Sequence, residues 1–287
     1  MIEGVLMRGS KYLAVAMRDP AGKIHIQTEK LQGLYTSKIA KIPFLRGLVI
    51  LWDALGLGTK YLTVSANLQT GEDEKIEGPA LYGTLIVSFV IAIALFFLAP
   101  AGVAALFSKW FTINPFMTNL IEGLIRLILV ILYIWAVGRM ADIRRVFSYH
   151  GAEHKTINAF EAGVELTPEN VQSFSLRHPR CGTGFILILV IFSVILFSLL
   201  GPMPNIAVRL ASRVVLLPVL VMVAYEYMRF TANHLDNRFF RALAYPSLAM
   251  QRLTTFEPSL DILEVAIASF KAMYELENPP FDDESKN

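Results

Sequence analysis

Of 287 residues, 54% are hydrophobic and 17% are charged, and the mean hydropathy is +0.50; these values exclude a disordered chain and argue against an ordinary soluble domain. Twenty-six Lys and Arg against 24 Asp and Glu leave a net charge of +2, so no nucleic-acid partner is expected and the informative charge signal lies in its distribution. A single cysteine, Cys181, excludes an intramolecular disulfide.

Met1 to Lys30 is broken by Arg8, Lys11 and Arg18, so no signal peptide is expected. Tyr12 to Arg18 and Lys23 to Glu29 flank Asp-Pro-Ala-Gly, and Ile24 and Ile26 alternate along the second arm, which predicts a β-hairpin turning at Pro20 to Gly22. Pro43 to Val64 is apolar but interrupted by Arg46, Asp53, three glycines and Lys60. That pattern suits an interfacial or re-entrant helix pair, with a fifth membrane span as the alternative.

Four later stretches approach the roughly 20 apolar residues that cross a bilayer. Leu81 to Ala99 is uncharged and is expected to end at Pro100; Leu120 to Gly138 carries only Glu122 and Arg126, an i, i+4 pair; Gly184 to Leu200 is uncharged; Ile206 to Met228 is bounded by Arg209, Arg213, Glu226 and Arg229. The last two are joined by Gly201 to Asn205, a connection that predicts a tight antiparallel hairpin. Lys and Arg crowd the segment before the first span, the loop from Arg139 to Arg180 and the tail from Arg229, whereas the first loop between spans has only Lys109. Both termini and the long loop are therefore expected in the cytoplasm. The divisions expected are a cytoplasmic N-terminal region (1–78), spans one and two (79–138), a cytoplasmic loop (139–183), spans three and four (184–228) and a cytoplasmic C-terminal region (229–287). In that last region Ser259 is expected to cap a helix bearing Ile262, Leu263, Ala266, Ile267, Phe270 and Met273. The polar segment after Glu277 is expected to be mobile.

The long loop holds the sharpest chemical pattern, Tyr149-His150-Gly151-Ala152-Glu153-His154-Lys155, which contains H-x-x-E-H. On a helix, His150 and His154 share a face and can hold one divalent cation, zinc fitting best, while Glu153 sits beside them as a general base. The plainer alternative is a solvated, salt-bridged helix with Lys155 and Arg145. In the same loop His178-Pro179-Arg180-Cys181 offers two further ligands, although Cys181 could equally be a small buried hydrophobe. Glu161 and Glu226 are the candidate acidic ligands, and Glu226 could instead pair with Arg229. His234 with Asp236 could orient a ligand from outside the site or form an ordinary helix end.

IEGVLMRG (Ile2 to Gly9), PFLRG (Pro43 to Gly47), YHGAEHKTINAFE (Tyr149 to Glu161), HPRCGTGF (His178 to Phe185) and LTTFEP (Leu253 to Pro258) resemble the YqhQ-like family of bacterial multi-pass membrane proteins, whose function is unknown and which are described as predicted metal-dependent enzymes. The resemblance covers nearly the whole chain, which lacks the short Gly-Gly-Gln-Ala lead-in associated with relatives. It implies a bacterial cell membrane location and supplies no reaction. Together these readings predict an α-helical integral membrane protein of about four spans. It would be a metal-dependent, hydrolytic enzyme acting at the cytoplasmic face on a lipid or membrane-tethered substrate, with Glu153 as base and His150, His154, His178, Cys181, Glu161 and Glu226 as candidate ligands. The competing expectation is a non-catalytic assembly, chaperone or translocon-associated factor that docks a membrane-protein partner.

Overall fold

A computed structural model describes residues 1–70, 78–111, 113–200, 203 and 206–279. The expected hairpin loop at 201–205, apart from 203, and the polar tail from 280 onward lie outside the described residues. Strands β1 (Gly4–Arg8), β2 (Tyr12–Arg18) and β3 (Ile24–Lys30) form an antiparallel sheet in that order. The β2–β3 turn falls as expected: the Asp19 carboxylate accepts from the Lys23 amide, and Gly22 takes a φ of +89° that a side chain would resist. The hairpin is corrected to three strands, because β1 lies within IEGVLMRG, where Gly4 and Arg8 leave too short a pattern to alternate visibly. Alternation along β2 divides the core in two. Leu13, Val15 and Met17 pack with Leu57 and Tyr61, while Ala16 turns to the opposite face with Val5, Met7 and Leu263.

Leu57 and Tyr61 belong to α1 (Leu45–Thr70), one continuous helix of 26 residues. The expected helix pair is thus corrected. Val49, Asp53, Leu57, Tyr61 and Ser65 recur at every fourth position on its buried face, and Asp53 is tolerated there because Arg8 pairs with it. The Tyr61 hydroxyl donates to Glu29 at 2.6 Å. At its other end, α1 meets the fourth span through Gly47, where an added Cβ would lie 2.9 Å from Tyr225 Cβ.

Among the described residues, four helices are long and apolar enough to cross a membrane: Tyr82–Trp110, Pro115–Val137, Gly182–Leu199 and Val208–Ala232. The first is built from α2 (Pro79–Ile93), a π-helical turn (Ala94–Leu98) and α3 (Ala99–Trp110). It was expected to stop at Pro100. Proline has no N–H and crowds the carbonyl four residues back, here Phe96. The π turn widens the backbone at that point, and Arg126 Nε donates to the released Phe96 carbonyl at 2.9 Å. Leu85, Ile86, Val87, Phe89, Val90 and Ile91 are all exposed, an apolar surface suited to lipid rather than water.

The remaining helices are α4 (Pro115–Val137), α5 (Ala141–Glu161), α6 (Pro168–Gln172), α7 (Gly182–Leu199), α8 (Ile206–Ala232), α9 (Arg238–Thr254) and α10 (Leu260–Glu277). α7 packs on α4, α8 and α9, while α10 lies against the sheet, α5 and α6. α10 follows the expected range and Ser259 occupies its cap position, but the Ser259 side chain makes no capping hydrogen bond. α9 was not foreseen. Asn237 starts it by accepting from the Phe239 amide at 2.8 Å, and its internal Pro246 hides the helical pattern. Gly184 lets α9 reach α7, since an added Cβ would strike Ser247.

Candidate metal centre

H-x-x-E-H lies on α5 as expected, and α5 leads directly from the end of the span α4. His150 and His154 lie one turn apart and meet edge to face, with ring centroids 4.4 Å from each other. Cys181, at the N-cap of the span α7, closes on the pair from the other side. A donor atom from each of His150, His154 and Cys181 falls within 4.8 Å of the other two. His150 Nε2 is 3.2 Å from Cys181 Sγ, close to the roughly 3.5 Å that imidazole and thiolate ligands of a tetrahedral zinc would keep.

The backbone fixes which nitrogens face inward. His150 Nδ1 donates to the Thr254 carbonyl at 2.8 Å and His154 Nδ1 to the Leu176 carbonyl at 2.6 Å. A carbonyl can only accept, so in both rings Nδ1 carries a hydrogen and Nε2 is the nitrogen left to face a metal. The approach of these carbonyls depends on Gly151: an added Cβ there would strike the Phe256 carbonyl and lie 2.9 Å from Leu176 Cδ2. Thr183 Oγ1 is 3.1 Å from the Cys181 sulfur and 3.1 Å from Thr254 Oγ1, bracing the thiol from behind.

Burial opposes ionisation of Cys181, yet its hydrogen bonds with His150 and His154 bring the thiol well below its ordinary value. Burial likewise disfavours charge on His150, but the adjacent sulfur and Glu153 raise its pKa. The pair therefore stores one proton on His150 beside a thiolate, the proton an entering metal would displace. Glu153 is half-buried and makes no hydrogen bond with another described residue. Burial lifts its carboxyl above the usual range, against the opposing pull of His150 and His154.

His178 stands beside the trio, its ring centroid 5.9 Å from that of His154. Gln251, fully buried on α9, grips its backbone: the His178 amide donates to Gln251 Oε1 at 2.9 Å, and Gln251 Nε2 donates to the His178 carbonyl at 2.8 Å. Among the described residues, His178 Nε2 is buried without a hydrogen-bond partner, and burial lowers its pKa. Glu161 is exposed at the rim, 3.8 Å from His178 Nε2 and 3.4 Å from an Arg180 nitrogen.

Glu226 is not brought to the trio. It pairs with Arg46 rather than Arg229 and accepts from the Phe44 amide at 3.0 Å. His234 Nδ1 donates to the Phe230 carbonyl at 2.8 Å and packs on Phe230 and Phe240, away from the trio. Lys155 is buried between the Gln172 carbonyl at 2.5 Å and Glu257 at 2.7 Å, and Arg145 is held by Glu3. Sequence reasoning missed the Thr254 and Leu176 carbonyls and the clamp on His178. Thr254 belongs to LTTFEP, which was noticed only as a family segment, and Gln251 carried no signal.

The fold and site define an α-helical membrane protein with four candidate spans and a His-His-Cys cluster at the start of one of them. The chain belongs to the family described as "Protein of unknown function (DUF1385)", which matches residues 42–276. It is 36% identical, over 294 aligned residues, to "Uncharacterized protein YqhQ" of Bacillus subtilis (strain 168), covering 96% of this chain and 91% of that protein. No solved structure matches it.

Proposed function

We propose that this protein is a zinc-dependent membrane enzyme of hydrolytic type, with its metal centre and both termini on the cytoplasmic face of the bacterial cell membrane. The observation that carries the reading is the convergence of His150, His154 and Cys181 with both Nδ1–H groups engaged by backbone carbonyls. Two imidazoles and a thiolate favour zinc among the common divalent metals, and three protein ligands leave one position for water or substrate. When bound, the metal supplies Lewis acidity and lowers the pKa of water. Glu153, beside the two histidines, would serve as the base that accepts a proton from water and hands it to the leaving group. A lipid or membrane-tethered substrate is favoured because Cys181 caps the start of a candidate span, with Arg177 and Arg180 exposed beside it.

Glu153→Gln should keep zinc and abolish turnover in a screen of ester, phosphoester and peptide substrates in lipid–detergent micelles. Full turnover by Glu153→Gln sinks the catalytic assignment. The orientation is tested separately with cysteines introduced at Lys60 and Lys109: only the second should react with a membrane-impermeant maleimide added outside.

The Nε2 of His178, buried and without a hydrogen bond among the described residues, favours a second reading, in which His178 completes a closed four-ligand site of structural type and the protein acts by docking a partner. X-ray absorption of the zinc-loaded protein separates the two. An oxygen ligand that persists in His178→Ala supports the open site, whereas three imidazoles plus sulfur in the wild type support the closed one.

A further inference from the structure

At the end of the spans opposite the sheet and the metal centre, one carboxylate lies among three guanidinium groups. Glu122 contacts Arg126 at 2.8 Å, Arg213 at 3.7 Å and Arg209, leaving an excess of two positive charges. Glu122, Arg126 and Arg213 are 2%, 5% and 4% exposed, in helices α4 and α8 that both qualify as spans. An uncompensated cation in that setting costs several kcal/mol.

The donors are unequally used. Arg126 is committed to Glu122 and the Phe96 carbonyl. Arg209 is committed to Glu122 and to Asn119 Oδ1 at 3.2 Å. Asn119 spends its own amide on the Leu200 carbonyl at 3.1 Å. Among the described residues, Arg213 has only long polar contacts, 3.5 Å to Asn119 and 3.7 Å to Glu122, and lies over the Phe197 ring at 3.9 Å. Among the described residues, Arg213 Nε and Nη1 and Arg209 Nε are buried with no hydrogen-bond partner. Arg209, whose side chain is 17% exposed, marks the open side.

We propose that Arg213 and Arg209 form an intramembrane binding site for a phosphate-bearing anion, either the phosphodiester of a lipid with net negative charge or free phosphate. Guanidinium nitrogens present paired, fixed donors that match phosphate oxygens. The ligand's charge supplies what Glu122 alone does not, and Asn119 and Phe197 hold the arginines in place beforehand. The site is independent of the metal centre, so neither assignment depends on the other.

The test is native mass spectrometry of the delipidated full-length protein in neutral detergent, titrated with phosphatidylglycerol, phosphatidylcholine or inorganic phosphate. Wild type should take up one phosphatidylglycerol in preference to phosphatidylcholine, and Arg213→Gln should weaken that binding by about tenfold or more. Saturable uptake of inorganic phosphate, again weakened in Arg213→Gln, would support the site with a free anion as ligand. If Arg213→Gln does not fold, Arg209→Gln replaces it, and the wild-type titrations remain decisive. Equal binding of both lipids with no phosphate uptake, or phosphatidylglycerol binding unchanged in a folded variant, would overturn the proposal.

Discussion

Gly151→Ala adds one methyl group to α5 and should disturb both carbonyls that orient the candidate ligands. Its Cβ would strike the Phe256 carbonyl and approach Leu176 Cδ2 to 2.9 Å. Leu176 supplies the acceptor for His154, and Thr254, two residues before Phe256, supplies the acceptor for His150. Overpacking of this kind costs about 1–3 kcal/mol, while Gly to Ala within a helix returns up to about 1 kcal/mol. The expected net effect is a loss of about 0–2 kcal/mol. Zinc affinity should fall more, by about 10–100-fold, the usual effect of disturbing groups that orient metal ligands. The internal control is Gly58→Ala in α1, where an added Cβ meets nothing within 4 Å; it should stabilise by up to about 1 kcal/mol and leave zinc affinity unchanged. Thermal unfolding in detergent and competition against a chromophoric chelator measure the two quantities. If Gly151→Ala behaves like Gly58→Ala in both, the orienting role of these carbonyls is refuted.

Arg126→Leu leaves the Phe96 carbonyl beside Pro100 without its donor and removes one partner of Glu122; it should cost about 1–3 kcal/mol, and an unchanged thermal midpoint in detergent would contradict the role given to that bond. Gln251→Leu unmakes both buried bonds to the His178 backbone and should destabilise by about 2–4 kcal/mol, read from the same melt; a loss under about 0.5 kcal/mol would show that the clamp is dispensable. Burial of Glu277 opposes its charge, but bonds from Ser10 and the Lys11 and Tyr12 amides hold its pKa below the ordinary carboxylate value. A carboxyl depressed in the folded state contributes stability above its unfolded pKa and loses it as pH falls through the folded one. Wild type should therefore exceed Glu277→Gln by about 1 kcal/mol near pH 7, and the gap should close below about pH 4.3; a gap constant across that range contradicts the assignment.

The spans were legible because a bilayer demands length and apolarity, two properties any window of sequence displays. Their ends were less so: Pro100 reads locally as a stop, and the π turn and Arg126 that let the helix pass it lie outside any local rule. α1 was divided on paper by Asp53 and its glycines, since the partner that makes Asp53 tolerable, Arg8, is 45 residues away. At the candidate metal centre, the four-residue spacing of His150 and His154 announced a shared face, and loop membership brought Cys181 within reach. The orienting acceptors are main-chain carbonyls of Leu176 and Thr254, which every residue possesses, so side-chain identity gave no sign of them. Glu226 looked like a ligand because a carboxylate near the end of a span needs a partner; the partner is Arg46, 180 residues away in sequence.

Elemental analysis of purified, monodisperse protein tests the central claim most directly, with wild type measured beside His150→Ala, His154→Ala and Cys181→Ser. The account predicts about one zinc per chain in wild type and near-complete loss in each variant, with the variants still folded by circular dichroism. A folded wild type that holds no metal after zinc is added back, or variants that keep the full complement, would contradict it.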